Sequence, residues 1–231
     1  MTGLQEGARW RVVLWDFDGT LANTSGDVWG SLRYAAGRRG GSFVGGFDER
    51  DENLALPMDV IYASLCPPPD PAALPSFEED VRVHYRSISA HPETDLYPGM
   101  RELLEELRTR GVHSRIVTNK PQGALLRILD LKGWRGLFDG WVCADSDDGV
   151  ELSKAQMAAR AMNAESASPD ECVMVGDSWG DVVGAHATGV HSVAVTYGDG
   201  DVDRLLCEEP DQVAENVEQL REILLGSSRD A

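Results

Sequence analysis

Asp16 and Asp18 are the residues of this chain best placed for chemistry. They follow the apolar run Val12-Val13-Leu14-Trp15, stand at i and i+2, and are succeeded by Gly19 and Thr20. In an extended strand such side chains point to opposite faces, but a bend at Asp18-Gly19 lets both approach one ligand. A carboxylate pair so arranged can divide labour as nucleophile and acid/base, which suits phosphoryl transfer. Asp-Gly is also a common turn dipeptide after a buried strand, so the reading rests on company. Three more polar groups fall at or just after the ends of predicted core segments. Thr118-Asn119 closes Arg115-Ile116-Val117, Lys154 opens a helix, and Gly176-Asp177-Ser178-Trp179-Gly180-Asp181 closes Cys172-Val173-Met174-Val175.

The elements that must position these groups are legible as alternating periods. Residues 11–15, 114–118, 140–144, 171–175 and 191–196 read as strands bounded by Gly, Asp or Asn. Met100, Leu103, Leu104 and Leu107 repeat at helical spacing up to Gly111, and Ala124, Leu125, Ile128 and Leu129 do so before Gly133. This alternation predicts an α/β fold: a Rossmann-like, doubly wound parallel sheet with ligands at the strands' carboxyl ends. Residues 22–95 break the alternation. Val28, Leu32 and Ala35 suggest one helix, Val60, Ile61 and Leu65 another, Phe77, Val81 and Tyr85 a third, with Pro67-Pro68-Pro69 as a rigid joint. The expected organisation is a catalytic core over 1–21 and 96–231 with a helical cap, 22–95, inserted after the first strand as a lid over the active site. Tyr97-Pro98-Gly99 marks the return to the core.

The motifs in this order resemble the haloacid dehalogenase superfamily, in the branch with a helical cap after the first motif, and they cover nearly the whole chain. Tyr97-Pro98-Gly99 and the segment from Asp181 to Gly189 are also similar to phosphoglycolate-phosphatase-like members. The resemblance implies that Asp16 attacks phosphorus to form an aspartyl-phosphate. Asp18 then protonates the leaving oxygen and later deprotonates the attacking water. It implies Mg²⁺ held by Asp16, the backbone carbonyl of Asp18 and Asp177, an all-oxygen set suited to that ion. Thr118 and the Asn119 backbone N–H would hold phosphoryl oxygens, and Lys154 would balance the charge of Asp16 and of the transferred group. Asp181 would support the metal site or orient Lys154, with Gly19, Thr20 and Ser178 in supporting places.

The third motif departs from the family pattern, because Ala155 follows Lys154 where a proline is usual. The chain has only three lysines. Lys120 stands beside Thr118-Asn119, where it is expected to line the phosphate entrance, and Lys132 sits at a helix C-terminus, so Lys154 is the candidate. Lysine is absent from residues 22–95, which disfavours the relatives that form a Schiff base on a cap lysine. Asp18 disfavours the dehalogenases, which lack the second aspartate. The implied activity is a Mg²⁺-dependent phosphatase acting on a small phosphorylated metabolite, phosphoglycolate-like or a sugar phosphate. The alternatives are a phosphomutase of the β-phosphoglucomutase type or a catalytically idle binding protein that keeps the fold.

Composition sets outer bounds. With 39 acidic against 21 basic residues the formal charge is −18, which repels nucleic acid and anionic membranes in the absence of a basic run. The acidic runs 48–52 and 145–148 read as solvated loops. Cys66, Cys143, Cys172 and Cys207 form no paired motif, and Cys143 and Cys172 lie in apolar runs as small core hydrophobes. No stretch approaches the ~18–20 apolar residues of a membrane span, and the polar N-terminus has no apolar segment. A cytoplasmic monomer or homodimer is expected.

Overall fold

The computed structural model describes residues 9–147 and 149–226. Residues 1–8 of the polar N-terminal stretch and Asp148 of the second acidic run lie outside the described residues. Strand β1 (Val12–Trp15) opens the chain's core and is followed by the two-residue strand β2 (Ala22–Asn23).

Thr24–Thr94 then form a compact unit of their own. It contains helix α1 (Ser25–Gly37), strand β3 (Ser42–Phe43), helix α2 (Met58–Ala63), strand β4 (Leu65–Cys66) and helix α3 (Leu74–Val83). Trp29, Leu32, Ala35, Ile61, Tyr62, Leu65 and Phe77 form its core, with Val28 and Val81 packed against it. Two details differ from the helical periodicity. Val60 is solvent-exposed, and α2 stops at Ala63 because Leu65 is drawn into an antiparallel pair with Phe43. Tyr85 follows α3 in a wider helical turn, His84–Ile88.

The core resumes with β5 (Asp95–Leu96), which pairs with β2. There follow α4 (Met100–Thr109), β6 (His113–Thr118), α5 (Gln122–Leu131), β7 (Gly140–Cys143), α6 (Lys154–Glu165) and β8 (Cys172–Gly176). The chain ends with α7 (Trp179–Thr188), β9 (His191–Val195), α8 (Val202–Cys207), β10 (Gln212–Ala214) and α9 (Val217–Leu225). Six strands form one parallel sheet in the order β10-β9-β8-β1-β6-β7. The short edge strand β10 was not among the predicted strands.

Strand β1 is fully buried and its side chains alternate between the two faces of the sheet. Val13 and Trp15 pack with Leu103, Leu104, Leu125 and Leu220 on one face. Val12 and Leu14 pack with Met157, Ala158, Ala161 and Ala185 on the other. The first connection from β1 leads to β6 on one side and the later one to β8 on the other, so the strand order reverses at β1. A crevice at the carboxyl ends of β1, β6 and β8 is where such sheets bind ligands. No described helix is long and apolar enough to cross a membrane.

Candidate active site

Asp16 leaves the sheet one residue after β1, its N–H still bonded to the Val175 carbonyl at 2.9 Å. That bond fixes the carboxylate at the strand end, where it is buried. The chain then turns: the N–H groups of Leu21 and Ala22 both donate to the Phe17 carbonyl, and Gly19 adopts φ +74°. A side chain there would be strained by the left-handed backbone, and its Cβ would lie 2.0 Å from Asp177 Oδ2. Gly19 thus supplies both the bend and the room for the second aspartate.

Asp177 follows the last residue of β8 and is held at both oxygens. Thr20 Oγ1 donates to Oδ1 at 3.1 Å, and the N–H groups of Asp199 and Gly200 donate to Oδ2 at 3.1 Å each. Tyr197 completes this arrangement by donating its hydroxyl to the Thr20 carbonyl at 3.0 Å. Neither Gly198 nor Gly200 could carry a side chain without displacing backbone, since a Cβ would meet Gly19 O at 2.2 Å or Asp177 O at 2.0 Å. The 197–200 loop is the part of the site that sequence reasoning missed. Its available signal was Gly198-Asp199-Gly200, one residue beyond the predicted strand 191–196.

Lys154 is the first residue of α6, and a reciprocal cap fixes that start: Gln156 N–H bonds to Ser153 Oγ, and Ser153 N–H to Gln156 Oε1. A capping box does here what the family's proline would do one residue later, since both favour helix initiation at this point. The ammonium donates to Asp16 Oδ1 at 2.5 Å and to the Val117 carbonyl at 2.9 Å, and pairs by charge with Asp181 Oδ1 at 2.7 Å. Gly184 of α7 lets the helix carrying it approach, for a Cβ there would sit 2.7 Å from Lys154 Cβ. Asp181 serves twice. Its Oδ2 accepts the N–H and hydroxyl of Ser178 at the start of α7, while Oδ1 faces Lys154. Asp181 thus stands both beside Lys154 and among the carboxylates that could hold a cation.

One carboxylate oxygen each from Asp16, Asp177 and Asp181 lies within 4.8 Å of the others. Three buried carboxylates face one ammonium, an excess of negative charge that asks for a cation, and the all-oxygen donor set suits a hard divalent ion. The titration behaviour agrees. Burial, opposed by Lys154 and aided by Asp181, raises Asp16 to about 6, and burial with the charges of Asp16 and Asp181 raises Asp177 to about 7. Burial alone would lower the Lys154 ammonium, but Asp16 and Asp181 outweigh it and hold it above its ordinary value. Cys143 is buried nearby, its thiol pushed up to about 12 chiefly by burial, so it is inert.

Thr118 closes β6 beside β1, is buried, and accepts the Lys120 N–H on Oγ1 at 3.1 Å. Asn119 is exposed and lines a surface cavity with Leu152, Lys154, Ala155 and Gly180. Asp18 is not grouped with the other carboxylates: its Oδ1 lies 2.6 Å from Lys120 Nζ. Lys120 therefore turns onto the acid/base candidate, where an entrance-lining cation was expected.

Residues 13–195 match the haloacid dehalogenase-like hydrolase family. The chain belongs to that family. Phosphoglycolate phosphatase 1 of Pseudomonas aeruginosa is 28% identical to it over 221 residues, covering 91% of this chain and 78% of that protein. The tyrosine-protein kinase PtkA of Mycobacterium tuberculosis is 30% identical over 219 residues, covering 93% of this chain and 72% of that protein. A phosphatase candidate from Clostridium difficile, known from its crystal structure, superimposes with a TM-score of 0.81 at 26% identity over 94% of this chain and 99% of that one.

Proposed function

We propose that the protein is a Mg²⁺-dependent phosphatase that hydrolyses a small phosphorylated metabolite, phosphoglycolate-like or a sugar phosphate, through an aspartyl-phosphate on Asp16. The observation that carries this is the buried Asp16 at the end of β1, fixed by Lys154 at 2.5 Å and facing Asp177 and Asp181. Asp16, Asp177 and the Asp18 backbone carbonyl would hold the ion, which when bound supplies positive charge against the phosphoryl oxygens. Lys154 holds the Asp16 carboxylate in one orientation and screens its charge from the incoming phosphate. An Asp16 oxygen bonds to phosphorus as the ester P–O bond breaks, and Asp18 passes its proton to the departing oxygen. Asp18 then takes a proton from the water that attacks the aspartyl-phosphate, and the Asp16–phosphorus bond breaks. Thr118 and the Asn119 N–H receive phosphoryl oxygens.

A screen of phosphorylated metabolites for phosphate release, followed by mass analysis of a rapidly quenched reaction with the best substrate, tests the reading. Label on Asp16 that is discharged to water supports it. Label on another residue refutes the nucleophile, and transfer to a sugar or protein hydroxyl in place of water refutes the phosphatase.

A further inference from the structure

We propose that residues 197–204 form a clasp that positions Asp177 for its cation, fastened by Tyr197 at one end and by Arg204 on Trp179 at the other, an inference that rests on the metal-binding reading above. Strand β9 ends at Val195 and α8 begins at Val202, so the chain between them is held in place by contacts outside those two elements. At the near end the Tyr197 ring packs on the main core, its centroid 4.8 Å from that of Tyr97, and its hydroxyl donates to the Thr20 carbonyl at 3.0 Å. Thr20 is fully buried, and its own hydroxyl donates to Asp177 Oδ1 at 3.1 Å. Tyr197 thus reaches one oxygen of Asp177 through a single intervening residue.

At the far end Asp201 Oδ1 accepts the Arg204 N–H at the start of α8, and Leu205 is buried with Val182 of α7 and Ala194 of β9. The Arg204 guanidinium carbon lies 4.0 Å from the centroid of the Trp179 ring, a cation–π stack. Trp179 is 40% exposed, so the stack is a surface fastening and not core packing, and it stands only two residues after Asp177. Between the two fastenings the N–H groups of Asp199 and Gly200 both donate to Asp177 Oδ2. Where those two N–H groups lie is set by how the segment is tied at its ends. Hydrogen-bond partners of a ligating carboxylate fix the direction its oxygens present to an ion, and affinity follows that direction. The clasp therefore serves both oxygens of Asp177, Oδ1 through Tyr197 and Thr20 and Oδ2 through the tied loop.

The test measures Mn²⁺ binding to the full chain by electron paramagnetic resonance, with Mn²⁺ as a paramagnetic stand-in for Mg²⁺ and at a temperature well below the melting of every variant. Asp177→Asn marks the part of the signal that belongs to this site. Tyr197→Phe, which deletes only the hydroxyl, weakens Mn²⁺ binding by about three- to tenfold, less than the loss of a direct partner of a ligand. Arg204→Met weakens it by about two- to fourfold, the range of an exposed cation–π contact, and Arg204→Lys, which keeps a cation over the ring, recovers part of the loss. In a Thr20→Val background Tyr197→Phe adds less than about 1.5-fold, because the route to Oδ1 is already cut. A lowered melting temperature with native Mn²⁺ affinity, in either Tyr197→Phe or Arg204→Met, would make the contact merely structural and overturn the clasp, as would full additivity of Tyr197→Phe with Thr20→Val. If Tyr197→Phe does not fold, the Arg204 pair alone decides, since that contact lies at the surface. Native protein that binds Mn²⁺ through Asp177 while the variants bind it equally well isolates the failure to the clasp. Absence of Asp177-dependent binding in the native protein would instead remove the metal reading and the clasp with it.

Discussion

Replacing Lys154 by methionine keeps most of the side-chain volume and deletes only the charge. The native ammonium donates to Asp16 Oδ1 at 2.5 Å and the Val117 carbonyl at 2.9 Å and pairs by charge with Asp181 Oδ1 at 2.7 Å. Its removal leaves Asp16 and Asp181 buried and mutually repelling, and taking one partner from a buried ion pair costs about 3–5 kcal/mol of stability. Loss of a preorganised charge at the phosphoryl position costs roughly 3 kcal/mol in the transition state, so kcat should fall at least about a hundredfold. The two losses differ in pH dependence. Asp16 already has a folded-state pKa of about 6 against an ordinary 3.8, and without Lys154 it rises further. A carboxyl whose folded pKa is raised binds protons in the native state that the unfolded chain releases, so stability is gained as pH falls through the folded value and is lost as pH rises through it. Thermal melting of the metal-free variant should therefore lag the native protein more at about pH 8 than at about pH 5.5, while kcat stays low at both. Lys154→Arg should recover only part of kcat, since a planar guanidinium does not reproduce the tripod of contacts. Melting curves that match the native protein at both pH values, with kcat within about threefold, would refute Lys154 as the charge that balances Asp16.

Other perturbations address the remaining parts of the site. Asp16→Asn should abolish turnover while leaving the melting temperature near or above the native value, because it removes both the nucleophile and a buried charge; measurable phospho-enzyme in this variant would contradict the assignment. Chelation should eliminate phosphate release and Mg²⁺ should restore it, since clustered carboxylates facing a phosphate dianion need compensation; full activity in chelator sinks the metal assignment. In the metal-free protein, Asp16 and Asp177, raised to about 6 and about 7, bind protons that the unfolded chain does not. Stability should therefore increase as pH falls from about 7 toward about 4, and saturating Mg²⁺ should flatten that slope, both readable by calorimetry. Gly200→Ala should weaken metal affinity by roughly tenfold or more, because the added Cβ displaces the loop whose N–H groups hold Asp177; unchanged Mn²⁺ affinity by electron paramagnetic resonance would argue that the loop is passive.

Much of the fold was legible because the sheet's interior strands are short, apolar and bounded by turn residues, while α4 and α5 carry a clean helical stripe. Val12 to Trp15 is buried on both faces and reads as a continuous hydrophobic run. β10 escaped notice for the opposite reason. Gln212-Val213-Ala214 is a three-residue edge strand with one exposed valine, and its pairing with β9 rather than its own pattern makes it a strand. Val60 and Leu65 show the same limit within the 24–94 unit. A helical period joined them, but tertiary pairing of Leu65 with Phe43 decides where the helix ends.

At the site, what sequence could supply was the set of residues that lie at strand ends, because a parallel sheet brings those ends together whatever the loops do. Asp16, Thr118 and Asp177 stand at the ends of three neighbouring strands for that reason, and Lys154 joins Asp16 from the start of α6. Partnerships between loops were not legible. Nothing in Thr118-Asn119-Lys120 specifies that the lysine turns toward Asp18 rather than toward solvent, since the choice depends on the Phe17 ring lying alongside and on how deeply the side chain is buried. Likewise Gly198-Asp199-Gly200 reads locally as a flexible turn. Its role emerges only when the backbone packs so closely on Gly19 and Asp177 that no Cβ fits and two N–H groups reach one carboxylate oxygen. The strand ends place the charged residues; the glycine turns then hold the oxygens that Asp177 presents. That second layer is where a substitution outside the carboxylate cluster has its leverage, which is why the Gly200 variant discriminates more sharply than removal of the nucleophile itself.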